Sequence, residues 1–308
     1  MKKAIVTGAT SVIGVPLIKV LLDQGFSVFA VCRVNSEKKD SLPKSDQLSV
    51  VECDVNCISA LTDLIKDRCD YFFHLAWNGV SQILRGDTEM QSKDILNTLS
   101  AVQAAKKMGC KKFIGVGSQA EIGLTNQKIG CNPCCAPETP YGIAKYAAGK
   151  MSQVLCKQLG LAYNWCRIIS AYCEDDHSYT MMSNLISNLI NDKDCDLSDG
   201  TQIWDCLHAA DVAKAIYLVG EKGVNNKCYP IGSGEGYPLK KYILDTFSAV
   251  EGCKSKLNFG AIPFNEKSIR YLCADIAELQ KDTGFKQEIP FCEGIARVVA
   301  AHRERNEH

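Results

Sequence analysis

Apolar and polar residues follow two different spacing patterns along the first half of the chain. Short apolar runs bounded by turns are typical of buried strands, and the stretches between them carry apolar residues at helical spacing. The runs predict strands at 3–7, 27–33, 48–53, 71–75, 112–116 and 162–169, and the spacing predicts helices at 12–24, 58–66, 94–108 and 141–159. Because strands and helices alternate, the sequence predicts right-handed βαβ units and a doubly wound parallel sheet of the α/β class.

The second half of the chain follows this pattern less regularly. After about Tyr172, a polar segment at 174–180 leads into mixed short elements. A strand-like run at 202–208, followed by a helical stretch at 209–221, is predicted to return to the main sheet. The predicted organisation is one domain over 1–170, with 202–222 returning to it, and a smaller C-terminal lobe made of 171–201 and 223–308.

Charge and hydropathy exclude several classes of partner. The 308 residues include 35 basic and 35 acidic side chains, so the formal net charge is zero. Without a net positive charge, the chain offers no broad electrostatic surface to nucleic acid or to an anionic membrane, and we expect neither as a partner. The N-terminal apolar run ends at Gly8, too short for a signal peptide, and no apolar stretch reaches ~18 residues. We therefore expect a cytoplasmic protein.

The cysteine content is high, with 17 residues spread along the chain. A chain of this length needs no disulfides for its stability, so we expect these residues to be mostly reduced and to pack as small apolar side chains. Cys131 and Cys134 have the C-x2-C spacing of a metal site, but no second such pair or pair of histidines lies nearby to complete four ligands. We expect a surface loop here and no metal.

A glycine-containing turn joins the first predicted strand to the first predicted helix. Such a turn presents backbone N–H groups and a helix N-terminus to a pyrophosphate, as in Rossmann-type dinucleotide-binding domains. An ordinary tight turn is the alternative. The spacing is Gly-x-x-Ser-x-x-Gly, and the hydroxyl of Ser11 can cap the helix or bond a phosphate oxygen. The residues expected to bind the dinucleotide are Gly8, Thr10, Ser11, Val12, Ile13 and Gly14.

The end of the second predicted strand bears on the choice of cofactor. An acidic side chain there suits the ribose hydroxyls of NAD, whereas an arginine suits the 2′-phosphate of NADP. This chain has Arg33 at that point and no carboxylate before Glu37. NADP is therefore the expected cofactor, with NAD as the alternative.

Three polar side chains form a candidate catalytic set. Tyr141 and Lys145 are four residues apart at the start of a predicted helix, which puts them on one face. A tyrosine ordinarily has a pKa of about 10, and the Lys145 cation together with an oxidised nicotinamide is expected to lower it. Tyr141 could then exchange a proton with substrate as hydride moves. Ser118 supplies a hydroxyl at the end of a predicted strand, where α/β sheets bind ligands.

With these residues in place, the chain resembles the extended short-chain dehydrogenase/reductases, in their NAD(P)-dependent nucleotide-sugar epimerase/dehydratase group. The matching pieces occur in family order and span most of the chain: 7–14, Asp54 with Val55, 74–76, Ser118, Tyr141 with Lys145, Arg167, and 205–213. The resemblance implies a Rossmann-type sheet carrying a smaller substrate-binding lobe. It also implies an enzyme, and a homodimer formed through the helices predicted at 94–108 and 141–159.

The resemblance also implies roles for particular residues. Asp54 and Val55 would flank the adenine, and Ala76 would line the cofactor. Tyr141 and Lys145 would contact the cofactor as well as catalyse, with Lys145 bonding the nicotinamide ribose. Ser118 would orient the reacting oxygen beside Tyr141.

Several residues differ from the family pattern, and the differences disfavour some of the reactions that family members catalyse. In the 4,6-dehydratases of this family, Asp-Glu follows the catalytic Ser or Thr, whereas Gln119 and Ala120 stand here and neither transfers protons at neutral pH. Glu121 is one residue further on and would face the opposite side of an extended segment. Dehydration is therefore disfavoured, which leaves 4-epimerisation or 4-keto reduction. Arg33 favours the reductase, because a reductase exchanges NADPH at each turnover.

The expected substrate contacts are also unusual. Where family members often carry Arg-Asp-Phe, this chain has Trp204-Asp205-Cys206, so the arginine that binds a diphosphate is missing. Trp204 could stack on a base or sugar, or simply pack between the lobes. Arg270 could bind phosphate or be a solvated surface charge. The candidate substrate contacts are Gln119, Ser170, Tyr172, Trp204 and Arg270.

These observations favour a reductase acting at C4 of a nucleoside-diphosphate sugar over a 4-epimerase. Two alternatives remain open from the sequence. One is a redox sensor that binds dinucleotide without turnover, and the other is a reductase of a small non-nucleotide ketone.

Overall fold

The computed structural model describes residues 1–174, 181–263 and 269–306. Most of the polar segment predicted at 174–180 lies outside these ranges. The strands are β1 (Lys3–Thr7), β2 (Ser27–Cys32), β3 (Leu48–Glu52), β4 (Tyr71–His74), β5 (Lys112–Ser118), β6 (Ala162–Ile168), β7 (Ala171–Tyr172), β8 (Cys195–Leu197), β9 (Ile203–Trp204), β10 (Leu207–His208), β11 (Lys227–Ile231), β12 (Tyr237–Pro238) and β13 (Leu257–Phe259). The helices are α1 (Gly14–Asp23), α2 (Leu61–Leu64), α3 (Thr88–Lys107), α4 (Pro140–Leu159), α5 (Met181–Ile190), α6 (Ala209–Lys222), α7 (Leu239–Ala249), α8 (Ala277–Thr283) and α9 (Phe291–Asn306).

A parallel sheet forms the centre of the molecule. Within the described residues its seven strands lie in the order β11-β6-β5-β4-β1-β2-β3, and every neighbouring pair is parallel. Two apolar cores cover its faces, one holding residues of α1 and α6 and the other residues of α3 and α4. The predicted doubly wound Rossmann-type α/β sheet is confirmed.

Helix boundaries follow local capping. Asp87 accepts a hydrogen bond from the backbone N–H of Met90, so α3 begins six residues before the predicted start at 94. Thr139 caps α4 in the same way, and Gly160 ends it with a left-handed backbone. The helix predicted at 58–66 is replaced by a 3-10 segment, Val55–Ala60, followed by the single turn of α2.

Two runs of the C-terminal part pair differently from the sequence prediction. The run at 202–208 does not return to the main sheet; it forms β9 and β10, which pair with β12 and β7. The strand that joins the sheet is β11, which the sequence assigned to the lobe. The smaller lobe has its own apolar core, which draws on α5, α7 and α9.

Candidate active site

Ser118, Tyr141 and Lys145 come together where β5 ends and α4 begins. Ser118 is the last residue of β5, and Tyr141 and Lys145 lie one turn apart on the buried side of α4. The hydroxyl of Ser118 is close enough to the phenol of Tyr141 to act on its pKa. The ammonium of Lys145 donates to the carbonyl oxygen of Val116 at 3.0 Å, which anchors it to β5.

Burial sets the protonation of Tyr141. It raises the pKa of the phenol above its usual value, while the hydroxyl of Ser118 and the charge of Arg85 act in the opposite direction. The lowered pKa expected from the sequence depends on Lys145 together with an oxidised nicotinamide, so it stays a prediction for the enzyme with bound cofactor. A neutral phenol at pH 7 is a proton donor, which suits a reaction that makes a hydroxyl from a carbonyl.

The turn after Ser118 shows why the nearby carboxylate is not a free base. Residues Gln119–Glu121 form a 3-10 turn rather than the extended segment considered from the sequence. Glu121 is fully buried, and its carboxylate accepts hydrogen bonds from the backbone N–H of Ser118, the indole of Trp165 and the guanidinium of Arg167. Glu121 therefore fixes the backbone that carries Ser118.

The structure adds two side chains that the sequence did not suggest. The indole of Trp77 meets the ring of Tyr141 edge-on, with 6.3 Å between ring centres. The guanidinium carbon of Arg85 lies 5.0 Å from the centre of the Tyr141 ring. Both belong to the segment that follows β4, and the one available signal was the position of Trp77 directly after Ala76 at a strand end.

In the turn between β1 and α1, backbone segments lie too close together for side chains at two positions. Gly8 has a positive φ of 68°, and a Cβ there would lie 2.9 Å from the backbone nitrogen of Ala76. A Cβ on Gly14 would lie 2.2 Å from the carbonyl oxygen of Gly8. The turn can therefore pack directly against the end of β4 only with glycine at both positions.

Backbone donors remain available on this turn. The N–H of Ser11 donates to the carbonyl of Gly8, and the Ser11 hydroxyl accepts from the N–H of Gly14, so Ser11 caps the start of α1. Within the described part of the chain, the N–H groups of Val12 and Ile13 make no hydrogen bond. Thr10 is half-buried, and Ser11 and Val12 are exposed. These donors at a helix N-terminus fit the pyrophosphate of a dinucleotide.

The adenosine side of the expected cofactor site lies at the ends of β2, β3 and β4. Arg33 is exposed directly after β2, and its side chain makes no hydrogen bond or ion pair with another described residue. Asp54 caps the segment Val55–Ala60 by accepting from the N–H of Asn56 at 2.8 Å. Ala76 is half-buried and donates its N–H to the hydroxyl of Thr7.

The candidate substrate contacts divide into two groups. Gln119 and Ser170 are half-buried near the ends of β5 and β6, and the indole of Trp204 donates to the Ser170 hydroxyl at 3.1 Å. Trp204 also packs against the cores of both lobes. Arg270 is exposed, and its carbonyl accepts from the N–H of Ile203, next to Trp204.

Tyr172 does not fit the role of substrate contact. It is 8% exposed and packs in the core of the smaller lobe, where its ring centre lies 5.1 Å from that of Phe291. The sequence assigned it to the substrate because it lies in the stretch after Arg167, but the structure buries its ring in the core of the smaller lobe. We therefore remove it from the candidate site.

The cysteines form no second chemical centre in the part of the chain that the structure describes. All 17 lie within the described residues, and none of them forms a disulfide there. No group of three or more His, Cys, Asp or Glu among the described residues is arranged to hold a metal ion. In that same part of the chain, no helix is both long and apolar enough to cross a membrane.

Comparison with known proteins agrees with the family resemblance found in the sequence. The model of the NAD dependent epimerase/dehydratase family matches residues 4–232. CDP-abequose synthase of Salmonella muenchen is 20% identical over 302 residues, covering 97% of each chain. The dTDP-6-deoxy-L-talose 4-dehydrogenase (NAD(+)) of Aggregatibacter actinomycetemcomitans is 23% identical over 267 residues, covering 84% of this chain and 94% of the relative.

Solved structures show the same fold. The UDP-glucose 4-epimerase of Thermotoga maritima, solved with UDP-glucose, superposes with a TM-score of 0.83 at 22% identity, covering 99% of each chain. The family match covers most of the chain and includes Ser118, Tyr141 and Lys145. This chain therefore belongs to the NAD-dependent epimerase/dehydratase family, among the extended short-chain dehydrogenase/reductases, and is an enzyme of that type.

Proposed function

We propose that this enzyme reduces the C4 carbonyl of a nucleoside-diphosphate sugar, with NADP as its cofactor. The observation that carries the proposal is the state of the site around Ser118. A neutral Tyr141 lies beside Ser118 there, and the one carboxylate of the adjoining turn, Glu121, is already bound by Arg167. The site can donate a proton to a carbonyl oxygen, but that turn supplies no base to abstract one from carbon.

The residues divide the work of reduction between them. When bound, the reduced nicotinamide supplies the hydride that attacks the carbonyl carbon. Ser118 donates a hydrogen bond to the carbonyl oxygen as negative charge develops on it, and Tyr141 gives that oxygen its phenolic proton. The Lys145 cation stabilises the resulting phenolate and bonds the nicotinamide ribose. Water then returns a proton to Tyr141, and the product leaves as the C4 alcohol.

The side chains after Ser118 argue against dehydration. Gln119 and Ala120 transfer no proton at neutral pH. Glu121 is fully buried behind them, with Arg167 and Trp165 on its two oxygens. Elimination of water from a sugar needs an acid and a base beside the ring, and neither is available in this turn.

Arg33 supports NADP. A guanidinium binds a phosphate with paired hydrogen bonds, and Arg33 is exposed at the end of β2 without a competing carboxylate. The other side chains proposed for the cofactor are Asp54, Val55 and Ala76, with Tyr141 and Lys145 at the nicotinamide end.

The substrate class is supported by the relatives and by the residues near the sheet ends. The matching proteins named above carry the names of enzymes for CDP-, dTDP- and UDP-linked sugars. Gln119, Ser170, Trp204 and Arg270 are the side chains proposed to contact such a substrate. Trp204 offers a ring face for stacking, and Arg270 offers a cation for the diphosphate.

A homodimer is proposed through α3 and α4. Leu96 on α3 and Ile143, Met151 and Val154 on α4 are all exposed apolar side chains. The three on α4 are spaced eight and three residues apart, so they form one stripe along that helix. A second copy of the same surface would bury this stripe together with Leu96.

The test is an assay of the purified enzyme with NADPH or NADH and a panel of 4-keto nucleoside-diphosphate sugars. Oxidation of NADPH that depends on one of these sugars supports the proposal. Interconversion of C4 epimers without net change of the cofactor would identify a 4-epimerase instead. Tight binding of cofactor without turnover of any sugar would favour a redox sensor, and reduction of simple ketones alone would favour the non-nucleotide reductase.

A further inference from the structure

The ammonium of Lys145 lies on the face of an aromatic ring. Its Nζ is 3.8 Å from the centre of the Trp77 ring, well within the range of a cation–π contact. The ammonium donates a hydrogen bond to the carbonyl of Val116 at 3.0 Å, and Lys145 is only 5% exposed. The ring of Trp77 and the strand carbonyl therefore define where this cation sits.

Trp77 is held in place through a buried glutamine. Its indole N–H donates to Oε1 of Gln91 at 2.9 Å. The amide nitrogen of Gln91 donates in turn to the carbonyls of Gly79 and Leu84, at 2.8 and 2.9 Å. Gln91 is 1% exposed, so these bonds are protected from competition by water.

A second side chain of α3 fixes the backbone next to Trp77. The carboxylate of Asp94, itself buried, accepts from the N–H of Asn78 at 2.8 Å and from the N–H of Gly79 at 3.1 Å. The orientation of Trp77 is thus set by two buried side chains one turn apart. That is more hydrogen bonding than a side chain filling space in the core requires.

We propose that Trp77 is a positioning residue for Lys145, and that its ring holds the ammonium in its charged form at the nicotinamide end of the site. This inference rests on the proposed function. The plane of the Trp77 ring is also perpendicular to that of Tyr141, with 6.3 Å between ring centres, so the indole lies against both proposed catalytic side chains.

The charged groups around Lys145 explain why the contact with the Trp77 ring affects its protonation. Burial lowers the pKa of Lys145 to about 8, while Glu121 from the turn after β5 and Asp94 from α3 act to raise it. His74 on β4 is held neutral, because burial and the Lys145 charge lower its pKa to about 3. Tyr141 is neutral, and the guanidinium carbon of Arg85 lies 5.0 Å from the centre of its ring. With the cation so close to losing its proton, removing an aromatic face shifts the balance.

The direct test needs no substrate. The chain has three tryptophans, so the protein labelled with 5-fluorotryptophan gives three ¹⁹F signals, and Trp77→Phe identifies one. We expect the Trp77 signal to titrate with a midpoint near pH 8, following Lys145, and to lose this titration in Lys145→Met. A Trp77 signal that does not change between about pH 6 and about pH 10, or that titrates equally in Lys145→Met, would overturn the proposal.

Kinetic variants provide the second test. Trp77→Leu keeps the site apolar but removes the ring face, so the alkaline limb of the turnover profile should move down by about one pH unit, with roughly fivefold slower turnover at pH 8. Trp77→Phe should restore most of the wild-type profile. The matched control is Phe72→Leu, which removes a fully buried ring from the same core; it should lower Tm and leave the pH profile unchanged. An equal shift in Phe72→Leu, or none in Trp77→Leu, would contradict the role.

The two tests separate this inference from the proposed function. An enzyme that reduces no nucleotide sugar loses the proposed function, but the ¹⁹F titration still decides whether Trp77 reports the protonation of Lys145. If the enzyme reduces a nucleotide sugar but its Trp77 ¹⁹F signal does not change with pH, the proposed function holds and the role of Trp77 is refuted.

Discussion

Arg167 and Glu121 form an ion pair that is almost completely sealed from water, with the guanidinium Nη2 2.9 Å from the carboxylate Oε2. The other carboxylate oxygen accepts from the backbone N–H of Ser118 at 2.8 Å. The pair therefore connects the interior of β6 to the residue proposed to orient the substrate carbonyl. Glu121, three residues after Ser118 in the sequence, is therefore part of the scaffold that holds Ser118 in place.

Removing the charge of Glu121 is expected to destabilise the protein strongly. Glu121→Gln leaves the Arg167 cation buried without its counter-charge, which typically costs about 3–5 kcal/mol of unfolding free energy. Denaturant unfolding measures this loss. The control is Glu89→Gln, which removes an exposed partner of Lys93 and should leave the denaturant midpoint nearly unchanged. A Glu121→Gln protein as stable as the wild type would contradict the scaffold role.

Tyr141 is expected to carry the proton. Tyr141→Phe should slow turnover at least ~100-fold while leaving cofactor affinity close to that of the wild type, because the variant loses one hydroxyl and keeps the ring. Steady-state kinetics and cofactor titration measure the two effects. Tyr146→Phe, which removes a hydroxyl from the same helix outside the site, is the matched control. Near wild-type turnover in Tyr141→Phe would remove the residue from the mechanism.

Arg33 is expected to set cofactor preference. Arg33→Glu should lower kcat/KM for NADPH by roughly 10- to 100-fold, the scale of one lost charge-assisted hydrogen bond, and leave NADH unaffected or improved. The same change of charge at Lys66→Glu, an exposed site after α2, should alter neither value. A wild-type enzyme that prefers NADH strongly would contradict the assignment at once.

The exposed stripe on α4 is expected to be an interface. Val154→Lys places a charge in the middle of the proposed dimer contact and should convert the protein to a monomer, as measured by light scattering coupled to size-exclusion chromatography. Leu244→Lys, a similarly exposed leucine on α7, should leave the dimer intact. A wild-type protein that is monomeric at micromolar concentration would contradict the interface.

The central strands could be predicted from the sequence to within about two residues, because strands buried on both faces are continuous apolar runs. The strand β11 could not, since Lys227 and Pro230 interrupt its apolar pattern. Proline is tolerated there because β11 lies at the edge of the sheet and pairs only with β6. The run at 202–208 has the stronger strand pattern, yet it pairs with lobe strands instead.

That the three candidate catalytic side chains come together was predictable, because Tyr141 and Lys145 are one helical turn apart and Ser118 ends a strand. The position of Trp77 was not, because it depends on hydrogen bonds that Gln91 and Asp94 accept from the segment after β4, and no local pattern reveals those partners. Arg85 was not either, because its side chain is placed by a hydrogen bond to the carbonyl of Val80. The raised pKa of Tyr141 likewise depends on its burial, which the sequence does not specify.

The most direct test of the central claim follows the hydride itself. Turnover of a 4-keto nucleoside-diphosphate sugar with NADPH carrying deuterium at the transferable position should place one deuterium at C4 of the product for each NADPH consumed, and Tyr141→Phe should slow this transfer. Sugar recovered without deuterium, or with its C4 configuration exchanged while the cofactor is unchanged, would contradict a C4 reductase.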